Sequence, residues 1–282
     1  MKKNKLLKIS IVGKTNAGKS TFINSIVGEK ISISNKKINT TEELVLGILN
    51  INNVQLIFYD TPGINNLKNL YHNKLKQNLW EGLNQSDIIL YIIDVTKYNY
   101  IEISKNLIKL HELKKKILII FNKNDLINNS IILPKIKEIE SNNDIESFFS
   151  ISAQKNKGIK NLIKNILKYS YFSNWVFKNN EISNKDDVYT SNETTRNEVL
   201  TLLHKEIPYN LKVENKIFKF LKNGHIKIKQ EIKIKNLRYK KIILGKNGDK
   251  IKNIRTRSQA NMSKIFNTKV HLYINIIKDN AE

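Results

Sequence analysis

The 282-residue chain contains no cysteine, which excludes a disulfide framework, a cysteine nucleophile and any zinc–thiolate site. It also lacks anything near the ~18 unbroken apolar residues of a membrane-spanning helix. The longest run, Ile88 to Val95, has Asp94 inside it. The opening MKKNKLLKISIVG imitates a basic region ahead of an apolar one, but Lys8 interrupts it and a glycine loop follows at once. It reads as a first strand and not as a signal peptide. Acidic residues are few, 25 Asp+Glu against 49 Lys+Arg, for a formal charge of +24, which excludes an acidic solvating protein. Arginine is scarce as well, 4 against 45 lysines, while asparagine reaches 41. Joint enrichment in Lys, Asn and Ile marks compositional drift, so the total charge identifies no polyanionic partner by itself.

The distribution of charge says more. Residues 201–282 hold 20 Lys+Arg against 6 Asp+Glu, net +14, whereas residues 1–200 hold 29 against 19, net +10. A uniform bias would not concentrate charge in this way, so a basic C-terminal module that meets a polyanion is expected. In the first part, strand-like runs at Leu7 to Val12, Val54 to Tyr59, Ile88 to Val95 and Ile117 to Phe121 alternate with helical periodicity. The helices are expected at Ser20 to Val27, Asn73 to Leu83, Ile103 to Leu113 and Ile159 to Tyr169. That alternation predicts a mostly parallel, doubly wound α/β sheet over residues 1–173. Residues 174–193 turn polar and lose periodicity, as a linker would. A smaller α+β module is expected over 194–282: a helix from Thr194, strands Leu211 to Leu221 and Ile226 to Lys235, an apolar turn Lys240 to Leu244, a glycine loop, a helix Asp249 to Phe266 and a strand Val270 to Ile277.

Gly13-Lys14-Thr15-Asn16-Ala17-Gly18-Lys19-Ser20 fits G-x-x-x-x-G-K-[ST] directly after a strand and before a helix. In such a loop consecutive N–H groups turn toward phosphate oxygens, Lys19 reaches the outer phosphates and the Ser20 hydroxyl ligates Mg²⁺. Thr21 completes this stretch of the nucleotide site. Asn122-Lys123-Asn124-Asp125 follows the strand ending at Phe121 and selects the base. Guanine offers N1–H and N2–H donors that the Asp125 carboxylate accepts together, whereas adenine presents a lone pair there. Asp60-Thr61-Pro62-Gly63 ends another strand, where the acid can hold Mg²⁺ through water and the Gly63 N–H can meet a γ-phosphate. Ser152-Ala153 is expected to back guanine with main-chain N–H groups. Thr40 and Thr41 are the Mg²⁺-ligand candidates between these loops, Thr41 being favoured.

Taken in order, G-x4-GKS, TT, DTPG, NKxD and SA resemble the translation-factor-related GTPases. Lys30 to Ser34 through Thr41, followed by Asp60 to Ile64, is similar to the Era subfamily. That resemblance implies a slow GTP hydrolase using Mg²⁺. Its catalytic residues would be Asn16, Lys19, Thr41 and Gly63, with Ile64 standing where a Ras-like enzyme keeps its water-orienting glutamine. Asn16 matches the P-loop asparagine of potassium-activated relatives, so K⁺ is a candidate cofactor.

In the basic module, Gly245-Lys246-Asn247-Gly248 fits the GXXG loop of KH domains, with Lys241 before it and Lys250, Lys252 and Arg255 after it. The order of elements resembles a type II KH domain, and Glu206 to Tyr209 and Val270 to Leu272 resemble the Era C-terminal pattern. The implied partners are small-subunit ribosomal RNA and the 30S subunit, contacted by a cytoplasmic monomer with weak peripheral contact to an anionic membrane. Three features depart from the family pattern: Glu42 where an arginine is usual, a short connection around Tyr189 to Glu193, and an end soon after Lys278 where the family commonly continues. The alternative is an RNA-binding protein whose G domain holds GTP with little turnover. A tRNA-modification GTPase would need a C-terminal cysteine, and a two-G-domain assembly factor a second P-loop.

Overall fold

The computed structural model describes residues 3–28, 45–63, 73–203 (other than 142, 180, 182 and 185) and 211–278. They form two units, Met1–Asn184 and Lys185–Glu282.

In the first unit the elements are β1 (Lys5–Gly13), α1 (Lys19–Val27), β2 (Val45–Ile51), β3 (Val54–Asp60), α2 (Asn73–Gln85), β4 (Ile88–Asp94), α3 (Tyr100–His111), β5 (Lys116–Asn122), α4 (Ile132–Glu140), β6 (Ser147–Ser150), α5 (Ile159–Ile166) and β7 (Tyr171–Phe172). The sheet runs β2-β3-β1-β4-β5-β6, with β7 against the start of β1. The pairs β1–β3, β1–β4, β4–β5 and β5–β6 are parallel. Side chains alternate across it. Leu7, Ile9, Ile11, Leu90, Ile92, Leu118 and Ile120 face α1 and α5. Ile89, Tyr91, Ile93, Ile117, Ile119 and Phe121 face α2, α3 and α4. Each fully buried Ile or Leu contributes roughly 1.5–3 kcal/mol, which is why central strands buried on both faces read as unbroken apolar runs.

Three elements of this unit carry no readable pattern in the sequence, β2, α4 and the short β7. Strand β2 pairs antiparallel with β3 through a turn at Asn52, whose φ of 53° does the work usually signalled by Asn-Gly. The expected linker also differs. Residues 175–179 and 183–184 bond back to β2 and β3, where the fully buried Gln55 of β3 acts as a substitute peptide group. Its Oε1 accepts from the N–H groups of Val176 (2.9 Å) and Phe177 (3.0 Å), and its Nε2 donates to Phe177 O at 3.0 Å. A bridge between Gly47 and Ser183 extends this attachment.

The second unit consists of α6 (Asp187–Leu202), β8 (Lys212–Phe220), β9 (Ile226–Ile234), α7 (Arg238–Leu244), α8 (Asp249–Ile265) and β10 (Val270–Lys278). Helix α6 starts well before Thr194, capped by the Asp186 side chain accepting from Tyr189 N–H at 2.7 Å. Its periodicity is hidden because it buries polar residues, among them Ser191, Thr195, Arg196 and Glu198. The sheet answers them: Thr195 Oγ1 donates to Gln230 Oε1 at 2.6 Å, and Asn215 Nδ2 donates to Ser191 Oγ at 2.6 Å. The stretch Lys240 to Leu244, expected as a turn, is most of α7. Strand order is β10-β9-β8, with β10 parallel and β8 antiparallel to the central β9.

Candidate functional site

Parallel strands deliver their carboxyl ends to one edge of the first sheet, and β1, at the centre, is where the chain reverses its direction of strand addition. The loops after β1, β3, β5 and β6 therefore meet there, and they carry the four motifs.

The loop Gly13–Gly18 enters α1 through Gly18, which has φ 98° and supplies no side-chain cap, while the first turn of α1 contains no acid. A helix start built this way presents N–H groups and positive dipole to an anion. Lys19 is folded into the loop, its Nζ donating to Gly13 O (3.1 Å) and Lys14 O (2.9 Å). Burial lowers its pKa to about 8, with Asp60 pulling the other way. Lys14 turns to Glu102 of α3 in an ion pair. Asn16 takes φ 67° at the loop's tip.

After β3, Ser20 Oγ donates to Asp60 Oδ2 at 2.8 Å. A hydroxyl and a carboxylate so close together are hard oxygen ligands at the phosphate loop, and they fit the Mg²⁺ that the motif demands. Thr61 Oγ1 donates to Ile11 O at 2.6 Å, fastening this loop to β1, and Pro62 is buried. Gly63 lies so close to the phosphate loop that a Cβ there would stand 2.8 Å from Thr15 N. Glycine is needed at this position for proximity and not for φ. Thr40, Thr41 and Ile64 lie outside the described residues.

The base-selecting loop is tied to the phosphate loop. Asn122 Nδ2 donates to Ala17 O at 2.8 Å, and its Oδ1 accepts from Ala153 N–H at 3.0 Å. Lys123 Nζ donates to Asn16 O at 2.8 Å and to Asp94 Oδ2 at 2.6 Å. Asp125 sits exposed in the short 3₁₀ turn Asn124–Leu126. The Ser152 and Ala153 amides differ from expectation. Ser152 N–H donates to Lys157 O at 3.1 Å and Ala153 N–H to Asn122 Oδ1. Here these amides position Asn122 and shape the loop instead of presenting free donors to a base.

Asp94 was missed as a site residue, although an acid at the end of an apolar strand was a visible signal. Its Oδ1 accepts from Thr96 N–H (3.0 Å) and Oγ1 (2.6 Å), which aims Oδ2 at Lys123.

In the second unit Gly245 has φ 72° and ψ −178°, and a Cβ there would meet Lys250 Cγ at 2.6 Å. The stem of Lys250 thus lies across the first glycine of the loop. Asn247 (φ 53°) and Gly248 (φ 81°) then turn the chain into α8. Lys241, Lys246, Asn247 and Lys252 are exposed, and Arg255 donates to Gln259 Oε1 at 3.4 Å. Together they form a basic collar around a backbone loop.

Fold and site define a P-loop guanine-nucleotide-binding domain followed by a KH domain. The family model described as a 50S ribosome-binding GTPase matches residues 8–123, and the KH domain model matches 206–282. GTPase Era of Rickettsia conorii is 36% identical over 276 residues, covering 97% of this chain and 80% of the relative. GTPase Era of Rickettsia akari is 33% identical, covering 97% and 93%. The crystal structure of Era in complex with MgGDPNP and nucleotides 1506–1542 of 16S ribosomal RNA is similar, with TM-score 0.87 and 32% identity over 98% of this chain and 94% of that one. The crystal structure of a single-substitution variant of Aquifex aeolicus Era bound to GDP·AlF4⁻ gives TM-score 0.87 and 31% identity, covering 99% of this chain and 94% of that one. The chain belongs to the Era family of GTPases.

Proposed function

We propose that this protein hydrolyses GTP to GDP and phosphate, binds small-subunit 16S ribosomal RNA through its KH loop, and acts as a nucleotide-controlled switch in 30S subunit assembly. One observation carries the nucleotide half: Asn122 and Lys123 bond directly to the carbonyls of Ala17 and Asn16, so base selection and phosphate binding are a single rigid unit. Asp125 selects guanine, Lys19 holds the outer phosphates, and the Gly63 N–H meets the γ-phosphate, so that its loss frees the loop after β3. Ser20 and, through water, Asp60 would hold Mg²⁺, with Thr41 as a further ligand, and the ion would supply charge neutralisation at the phosphate oxygens. Asn16 is the proposed monovalent-cation ligand; turnover should then be faster in K⁺ than in Na⁺ and lose that difference in Asn16→Ala. The RNA half rests on the GXXG loop with Lys241, Lys246, Lys250, Lys252 and Arg255, and on the 16S fragment bound by the similar Era structure.

Among the described residues no helix is long and apolar enough to cross a membrane. A cytoplasmic monomer with weak contact to an anionic membrane is the reading that the family resemblance and the chain's basic character support. The test is calorimetry with GTP and ATP, followed by crosslinking of the GTP- and GDP-bound protein to ribosomal RNA. Equal affinity for ATP would refute guanine selection. Crosslinks absent in both states, or insensitive to Gly245→Asp, would refute the RNA assignment.

A further inference from the structure

Charge is also segregated on the open face of the C-terminal sheet. Ile226, Ile228, Gln230, Ile232 and Ile234 of β9 are buried, so the intervening Lys227, Lys229, Glu231 and Lys233 stand on the opposite face. The strand register puts Lys219, Lys227 and His271 in one cross-strand row and Ile217, Lys229 and Tyr273 in the next. His225 joins this end, its Nδ1 3.1 Å from His271 Nε2.

The other end of the same face is neutralised: Lys216 pairs with Glu231 at 3.2 Å and Lys233 with Glu214 at 2.6 Å. Lys219, Lys227 and Lys229 have no acidic partner among the described residues. Like charges facing each other across neighbouring strands oppose pairing, so this row burdens the sheet unless a polyanion relieves it. Tyr273 is 53% exposed, and Lys227 Nζ lies 6.0 Å from its ring centroid. An accessible aromatic face flanked by ammonium groups suits single-stranded nucleic acid, whose bases stack on the ring while its phosphates meet the cations. An acidic protein would use the lysines but gain little from the ring.

We propose that the open face of β8, β9 and β10 is a second contact for single-stranded RNA, additional to the GXXG loop and presupposing the RNA-binding reading above. A base stacks on Tyr273 and phosphates meet Lys219, Lys227 and Lys229. The test uses the full chain and fluorescence anisotropy with two RNA strands, one of about 4 nucleotides, the number a GXXG loop clamps, and one of about 20. The triple variant Lys219→Gln, Lys227→Gln, Lys229→Gln should bind the short strand as the unaltered protein does. For the long strand, the slope of log affinity against log salt should fall by about 2, equivalent to roughly 100-fold weaker binding at 0.1 M salt. Tyr273→Ala should weaken the long strand without changing that slope.

An unchanged slope and affinity for the long strand overturns the proposal while leaving the GXXG assignment intact. Failure of the unaltered protein to bind either strand overturns the RNA-binding reading itself. Displacement of the long strand by polyglutamate at equal charge concentration, with Tyr273→Ala indistinguishable from the unaltered protein, overturns the choice of RNA over an acidic protein.

Discussion

Lys19 offers the sharpest quantitative test, because its charge is needed only when phosphate is present. Burial in the loop lowers its pKa from 10.5 to about 8 despite the neighbouring Asp60. A fall of that size corresponds to a cost on the order of 3 kcal/mol for carrying the charge in the folded, nucleotide-free domain. Below pH 8 the lysine is protonated in both folded and unfolded chains, and the penalty is fully present. Between pH 8 and 10.5 the unfolded chain keeps a proton that the folded one has released, so stability rises with pH; above 10.5 both are neutral and the penalty is gone.

Lys19→Met should therefore stabilise the nucleotide-free domain at pH 7 by at most about 3 kcal/mol, since Gly13 O and Lys14 O lose a donor, while abolishing GTP binding. The gain should shrink between pH 8 and 10.5, as measured by urea unfolding. A bound triphosphate restores the charge, so binding takes up about half a proton at pH 8 and close to one at pH 9, above the range where the terminal phosphate itself titrates. Calorimetry in buffers of different ionisation enthalpy reads this directly. Zero uptake across pH 8 to 9.5 would refute the dry-lysine account.

Other sites give further tests. Asp94→Ala removes the buried carboxylate that holds the half-buried Lys123 at 2.6 Å; GDP affinity measured by fluorescence should fall roughly 10- to 100-fold, the range expected for losing a hydrogen bond between charged groups. Gln55→Leu leaves three backbone groups of Val176 and Phe177 without their partner, and should cost the G domain roughly 1–3 kcal/mol in chemical denaturation while sparing GTP binding. Thr195→Val orphans the buried Gln230 Oε1 and should lower KH-domain stability by about 1–3 kcal/mol without altering nucleotide affinity. An unchanged unfolding midpoint in either variant would show that the deleted bond was not contributing.

The central strands, the P-loop, the guanine motif and the GXXG loop were legible because each depends on local pattern. Apolar runs mark strands buried on two faces, and phosphate or base recognition needs particular residues at fixed spacing along one loop. Helix α6 and the segment after Phe172 were misread because their order comes from distant polar partners, Gln230 and Gln55, which leave no periodicity in the residues they hold. The Ser152 and Ala153 amides look available in sequence and are engaged in space.

What the amino-acid order determined by itself was which chemical groups exist and in which sequence they arrive at the sheet edge. Tertiary structure alone decided that Asp94 aims Lys123 at the phosphate loop, that Lys19 is dry enough to lose its proton near pH 8, and that three lysines with no acidic partner among the described residues share one sheet face with Tyr273. Desolvation and cross-strand adjacency are properties of neighbours brought together by folding, and chain order does not encode them locally.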